Sequence, residues 1–92
     1  MSGQPLRALY RVHGRVQGVG FRAWVWREAT GLGLRGEARN EADGTVRVAV
    51  QGPPERVERL ADLLAKGPHL ARVDRVERSD LDEDVPPGFE IR

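Results

Sequence analysis

The chain has 92 residues and no cysteine, which excludes a disulfide framework, a zinc ribbon, an iron–sulfur cluster and a thiol nucleophile. Its formal net charge of +1 is too balanced for a general nucleic-acid binder, and no apolar run approaches the roughly 20 residues of a membrane span. We expect one domain over residues 1–92 that acts as a cytoplasmic monomer, with neither a nucleic acid nor a membrane as partner.

The first predicted elements are a strand, a glycine-rich loop and a helix. Apolar and polar residues alternate near the N-terminus, which predicts a strand whose apolar face is formed by Leu6, Ala8, Tyr10 and Val12. Gly14 is expected to end this strand, and the three glycines of segment 14–20 predict a loop. From Phe21 the apolar residues recur at about 100° per residue, which predicts a helix that ends near Gly31.

A hairpin and a second helix are predicted next. Segments 34–40 and 45–51 alternate with a period of two, and the Asp-Gly turn between them is typical of a hairpin. In the first of these strands the charged residues share one face. A second amphipathic helix is predicted to begin near Pro54, since proline is tolerated in the first helical turn, and to end at Gly67.

The last third of the chain predicts two more strands. Residues 70–78 form the longer one, and the spacing of Val73 and Val76 indicates a bulge or a twisted edge. We interpret the acidic segment 79–88 as a solvent loop and residues 89–91 as a short terminal strand. The order β-α-β-β-α-β predicts an α+β fold, a ferredoxin-like split βαβ sandwich with an antiparallel sheet and two helices on one face.

The glycine loop is the strongest candidate site. A glycine-rich turn lets successive backbone N–H groups converge, and the start of the following helix adds partial positive charge. Arg22 lies in the first turn of that helix, and Arg15 precedes the glycines, so both could meet an anion. The alternative is a tight strand-to-helix turn that merely needs glycine.

Asn40 and the titratable residues are weaker candidates. Asn40 ends the second strand and either belongs to a functional site or bonds its own backbone in the turn. Its distance from the glycine loop depends on the order of strands in the sheet. His13 and His69 are too few for a histidine-rich metal site, and the acidic residues 80–84 lack the spacing of a calcium loop. We predict no metal site.

Two segments resemble the acylphosphatase family. The first is Gly14-Arg15-Val16-Gln17-Gly18-Val19-Gly20-Phe21-Arg22. The second agrees at the family's spacing and consists of Gly36, Ala38, Arg39, Asn40, Gly44, Val46 and Gly52. The resemblance extends from about Tyr10 to Ile91, and its first motif is highly specific.

The resemblance implies a function and a set of site residues. Acylphosphatases hydrolyse the mixed anhydride of a carboxylic acid and phosphate, and they use no metal or cofactor. By analogy, Arg22 binds the phosphoryl group and Asn40 positions the attacking water. The backbone N–H groups that hold the phosphate oxygens would come from Arg15, Val16, Gln17, Gly18, Val19 and Gly20. The substrate would be a small acyl phosphate, and inorganic phosphate or sulfate would compete with it.

One position departs from the family pattern. Acylphosphatases usually have an aromatic residue where this chain has Glu37, which the alternation places away from the Asn40 side of its strand. The main alternative function is a non-catalytic ferredoxin-like module that binds an anion or regulates a partner. RNA binding would need more aromatic residues on the strands than Tyr10 and Phe89. A detached relative of the acylphosphatase-like domain of a carbamoyl-transfer enzyme is disfavoured by the absence of linkers.

Overall fold

The computed structural model describes residues 4–92, so the predicted domain start at residue 1 lies outside the described residues. Two helices and five strands follow the predicted order. Their bounds are β1 Leu6–Arg15, α1 Phe21–Gly31, β2 Arg35–Asn40, β3 Val46–Gly52, α2 Pro54–Lys66, β4 Arg72–Asp80 and β5 Phe89–Ile91.

The strands form one sheet in the order β4-β1-β3-β2-β5. The three neighbouring pairs among β4, β1, β3 and β2 are antiparallel, as predicted. The short strand β5 lies parallel to β2 and makes the sheet mixed. The predicted hairpin of β2 and β3 is confirmed. Because β1 and β2 are both antiparallel to β3, their C-terminal ends lie at the same end of the sheet, with β3 between them.

The core lies between the sheet and the two helices. Helix α1 packs on β2 and β5, and helix α2 packs on β1, β3 and β4. Alternate residues of the strands meet the buried side of both helices, so the helices share one face of the sheet, as predicted. The fully buried helix residues are Phe21, Val25, Ala29, Val57, Leu60 and Leu64.

Gly14 does not end the first strand, contrary to the prediction. Strand β1 continues to Arg15 through a shift in register, in which His13 pairs with Arg75 and Gly14 pairs with Val73. Asp74 is therefore an extra residue in β4, which is the bulge that the valine spacing indicated. Gly14 has a φ of 134°, and a Cβ there would lie 2.1 Å from the carbonyl oxygen of Arg72.

The segment before β5 is more than the solvent loop that its composition predicts. Strand β4 extends to Asp80, and Leu81 and Val85 are buried against Ala49 on the sheet face away from the helices. The intervening acidic side chains remain exposed. This segment crosses the face of the sheet away from the helices, which we call the open face, because the two apolar residues four positions apart anchor it there. It connects β4 at one edge of the sheet to β5 at the other.

The close approach at the bulge gives a prediction. Gly14→Ala should destabilise the protein by about 3 kcal/mol, because the new methyl group meets backbone atoms and the φ is one that L residues rarely adopt. The matched control is Gly31→Ala at the end of helix α1, where a Cβ meets no atom of residues 4–92 within 4 Å. Urea unfolding of both variants checks this. Equal stabilities for Gly14→Ala and the parent would contradict it.

Candidate active site

The loop predicted over residues 14–20 occupies residues 16–20 in the structure, between β1 and α1. Val16 is buried and fixes the loop to the core, while Gly18 and Gly20 have φ values of 75° and 77°. Left-handed glycines two positions apart permit a turn in which successive backbone N–H groups face one concavity. Helix α1 begins directly after Gly20, and no side chain of residues 4–92 caps its start. The unpaired N–H groups therefore favour an anion here.

The loop, Arg22 and Asn40 line one cavity of about 160 Å³, which we call the loop cavity. Its lining residues come from the loop, the first turn of α1 and the ends of β2 and β5: Val16, Gly18, Gly20, Phe21, Arg22, Ala23, Asn40 and Ile91. The structure thus brings together the two predicted catalytic residues and much of the predicted phosphate loop.

Asn40 reaches this cavity because of the strand register. Val46 of β3 pairs with Val12 of β1 on one side and with Asn40 of β2 on the other. Strand β1 leads from Val12 into the loop, so Asn40 lies at the same end of the sheet as the loop. The sequence alone left this point open, since it did not give the order of the strands.

The side-chain oxygen of Asn40 is buried and accepts no hydrogen bond from any group in residues 4–92. The turn-asparagine interpretation requires such a bond to the local backbone. Asp43 makes those bonds instead, accepting from the backbone N–H and the hydroxyl of Thr45 at 3.0 and 2.6 Å. These bonds, the hydroxyl one foremost, lower the pKa of the Asp43 carboxyl. The side-chain oxygen of Asn40, a residue that lines the loop cavity, is therefore left without a hydrogen-bond partner among residues 4–92.

Gln17 has a role that the sequence did not indicate. Its side-chain amide donates to the carbonyl oxygens of Glu41 and Thr45 at 2.8 and 2.9 Å. These two bonds tie the loop to the turn that follows Asn40. The Gln17 side chain therefore braces the site, and only its backbone N–H can contribute to an anion cradle. A polar residue inside a glycine loop was the only signal in the sequence.

Arg22 is held by the C-terminal end of the described chain. Its guanidinium donates from Nη1 to the main-chain oxygen of Arg92, and it forms no ion pair with an Asp or Glu side chain within residues 4–92. On the same helix, the indole N–H of Trp26 donates to the carbonyl oxygen of Phe89 at 3.0 Å. Both bonds fix α1 beside β5.

Three predicted loop residues do not line the loop cavity, and one of them is Gln17, whose side chain bonds to the turn after Asn40. Arg15 is exposed at the end of β1, and Val19 packs at the edge of the core. His13 also lies outside it, with Nε2 2.6 Å from a carboxylate oxygen of Glu77, and this hydrogen bond lowers the pKa of Glu77. Within residues 4–92, no cluster of three or more acidic or histidine side chains could hold a metal ion, and no helix is long and apolar enough to span a membrane.

Glu37 lies on the face of the sheet away from the helices, as the alternation predicted. Its side chain is 12% exposed, and its carboxylate lies 3.4 Å from Arg47, 3.4 Å from Arg92 and 3.8 Å from Arg39. Glu37 does not line the loop cavity. Three guanidinium groups therefore balance its charge, and the negative charge at this unusual position is kept from an anion in the loop cavity.

The loop cavity lies within a stretch of sequence that matches a known family. The model of the family described as Acylphosphatase matches residues 8–91. The chain belongs to the acylphosphatase family. An acylphosphatase from Thermococcus kodakarensis is 49% identical over 86 residues, which cover 94% of each chain. The acylphosphatase of Mycobacterium sp. (strain JLS) is 48% identical over 95 residues and is matched over 100% of both chains.

Solved acylphosphatases share the fold as well. The structure of an acylphosphatase from Coxiella burnetii superposes with a TM-score of 0.90 at 29% identity, covering 97% of this chain and 94% of that one. These matches confirm the ferredoxin-like fold and the family that the two motifs indicated. The activity is acylphosphatase activity, and the substrate class is a small acyl phosphate.

The bonds of Gln17 give a second prediction. Gln17→Glu should cost about 2–3 kcal/mol of stability, because a carboxylate would face two carbonyl oxygens and lose both hydrogen bonds. Gln51→Glu is the matched control, since Gln51 accepts a bond from Arg7 and a carboxylate there would gain an ion pair. Chemical denaturation compares the two variants. A Gln17→Glu protein as stable as Gln51→Glu would show that the brace contributes nothing.

Proposed function

We propose that this chain hydrolyses acyl phosphates in the loop cavity, by direct attack of water on the phosphorus atom. The attack forms a bond from the water oxygen to phosphorus and breaks the bond from phosphorus to the acyl oxygen. The products are a carboxylate and inorganic phosphate. The buried, unpaired side-chain oxygen of Asn40, a residue that lines the same cavity as Arg22, is the observation that carries this proposal.

The phosphoryl group would be held by the loop and by Arg22. Backbone N–H groups of residues 15–20 and the start of α1 donate to its oxygens, and the guanidinium supplies the full positive charge. Arg22 uses Nη1 for the bond to Arg92, which leaves the other N–H donors of its guanidinium for the substrate. The same bond restricts the orientation of the planar guanidinium. Charge that spreads over the phosphoryl oxygens in the transition state thus meets donors that are already oriented.

Water would be oriented by Asn40. A carbonyl oxygen can accept a hydrogen bond from water, and this one has no competing donor within residues 4–92. Holding water in line with the phosphorus removes much of the entropic barrier to attack. The leaving carboxylate is already a weak base, so the reaction needs little general acid catalysis, and the cavity lining contains no titratable carboxyl or imidazole group among the described residues.

The alternative is a module that binds an anion without catalysis. Arg22 and the loop would serve that purpose equally well. The oxygen of Asn40 would not, because an acceptor facing a bound dianion gives no stabilisation. We also propose that the protein acts as a cytoplasmic monomer and that free phosphate and sulfate occupy the loop cavity as competitors, since both present the same tetrahedral oxygens to the loop.

The reaction should not require a divalent metal ion. With benzoyl phosphate as substrate, the initial rate should be the same with and without excess EDTA, because the proposed site supplies its positive charge from Arg22 and backbone N–H groups. The measurement is phosphate release after dialysis against the chelator. Loss of activity that magnesium restores would refute this mechanism.

Arg22 and Asn40 should differ in their kinetic effects. Asn40→Ala should lower kcat by about 100-fold with nearly unchanged inhibition by phosphate, because the amide acts on water. Arg22→Lys should weaken phosphate inhibition and lower kcat/KM, each by about tenfold or more, because an ammonium cannot reproduce the fork.

Initial-rate kinetics with a phosphate series measure both effects, and circular dichroism verifies folding. Arg59→Ala, on the exposed side of helix α2, is the control and should match the parent. If folded Asn40→Ala turns over like the parent, Asn40 does not position water.

A further inference from the structure

A second cavity adjoins the loop cavity, and the proposed reaction leaves it without a role. Its volume is about 470 Å³. We call it the Trp24–Leu70 groove, and its lining residues are Val19, Gly20, Ala23, Trp24, Arg27, Pro68, His69 and Leu70. Gly20 and Ala23 line both cavities, so the two spaces lie next to each other at the start of helix α1.

The walls of this groove are held by packing. The rings of Phe21 and Trp24 lie 5.4 Å apart between their centroids, which fixes the indole on the helix. The opposite wall approaches closely at Gly67, where a Cβ would lie 3.7 Å from the ring of Phe21. A turn bond from the N–H of Ala71 to the carbonyl oxygen of Pro68, at 3.0 Å, closes that wall. These contacts fix both walls of the groove.

The lining is mostly apolar. Val19, Trp24 and Pro68 contribute aliphatic or aromatic surface, and Leu70 is 71% exposed, the largest exposure of any bulky apolar side chain in residues 4–92. Arg27 and His69 are the polar members. An apolar surface beside a polar anion cavity matches a ligand that is polar at one end and apolar at the other.

In-line chemistry places the acyl group on this side. Water attacks phosphorus opposite the leaving oxygen, so an acyl group departs on the side away from Asn40. Strands β2 and β5, which bring Asn40 and Ile91, lie on one side of β3, whereas β4 lies at the far edge on the other. Residues 68–70 lead into β4 and therefore face the loop cavity from the side opposite Asn40.

We infer that the Trp24–Leu70 groove binds the acyl part of the substrate and makes this chain selective for acyl phosphates with bulky apolar or aromatic acyl groups. This inference rests on the proposed function, since it takes Asn40 as the water site. The acyl carbon is joined to phosphorus through a single oxygen, so the acyl group of a substrate held in the loop cavity lies close to Gly20 and Ala23, which line both cavities. A small acetyl group would reach only Gly20 and Ala23, whereas a benzoyl group would contact Trp24 and Leu70.

The test compares kcat/KM for benzoyl phosphate and acetyl phosphate. Leu70→Ala should lower the benzoyl-to-acetyl ratio about threefold, and Trp24→Ala about tenfold, because each removes apolar contact with the acyl group alone. Inhibition by free phosphate should be unchanged in both. Leu63→Ala, the same truncation on helix α2 outside the groove, is the matched control and should keep the parent's ratio. An unchanged ratio in folded Leu70→Ala and Trp24→Ala would overturn the inference.

Binding measurements separate this inference from the proposed function. Acetylphosphonate and benzoylphosphonate have a carbon–phosphorus bond in place of the anhydride oxygen, so this reaction cannot hydrolyse them. Calorimetry with these two compounds therefore measures binding to the groove without turnover. We expect the parent to bind benzoylphosphonate more tightly than acetylphosphonate, and Leu70→Ala to lower the ratio of the two affinities about threefold. If the parent hydrolyses neither acyl phosphate yet shows this preference, the proposed function is wrong, and binding of the acyl group in the groove is still supported. If it hydrolyses both but shows no preference in binding, the groove fails alone.

Discussion

The site depends on one pairing in the sheet, in which Val46 of β3 lies between Val12 of β1 and Asn40 of β2. All three belong to strands that bury one face, and a slip of one residue would turn that face outward, so the register is strongly fixed. The same register sets where β1 runs into the loop and where β2 ends in the turn. The two hydrogen bonds of Gln17 then join the loop to that turn directly.

Arginines near the site meet different partners on the two faces of the sheet. On the open face, guanidinium and carboxylate groups meet one another: Glu37 with Arg39, Arg47 and Arg92, and Arg7 with Asp84. On the helix face, Arg22 has only a main-chain acceptor among residues 4–92. A chain of nearly neutral net charge can therefore present a local positive site, since no Asp or Glu side chain of residues 4–92 pairs with Arg22.

The fold was largely predictable from periodicity and turn residues, and the main misses have physical causes. Gly14 was expected to end β1 because glycine usually interrupts strands, but here the absence of a Cβ admits the backbone of a bulged neighbour. The segment around Leu81 and Val85 was interpreted as a loop because its acidic composition outweighed two apolar residues, whose partner Ala49 is distant in sequence. Local patterns contain no information about such contacts.

The candidate site was only partly predictable. The glycine loop and Arg22 could be interpreted from local chemistry, because they adjoin along the chain. Asn40 could be placed beside them only by family resemblance or by the strand order, and the brace by Gln17 and the Trp24–Leu70 groove depend on contacts between distant segments. Arg15, Gln17 and Val19 belong to the motif, yet none of them lines the loop cavity.

The central claim is that water attacks phosphorus in the loop cavity. Hydrolysis of benzoyl phosphate in water enriched in ¹⁸O tests it, since the atom that attacks remains bonded to its target. Mass spectrometry of a single turnover should find the label in inorganic phosphate and none in benzoate, because the bond that breaks joins phosphorus to the acyl oxygen. Label in benzoate would show attack at the carbonyl carbon and would contradict the assignment of Asn40, Arg22 and the loop.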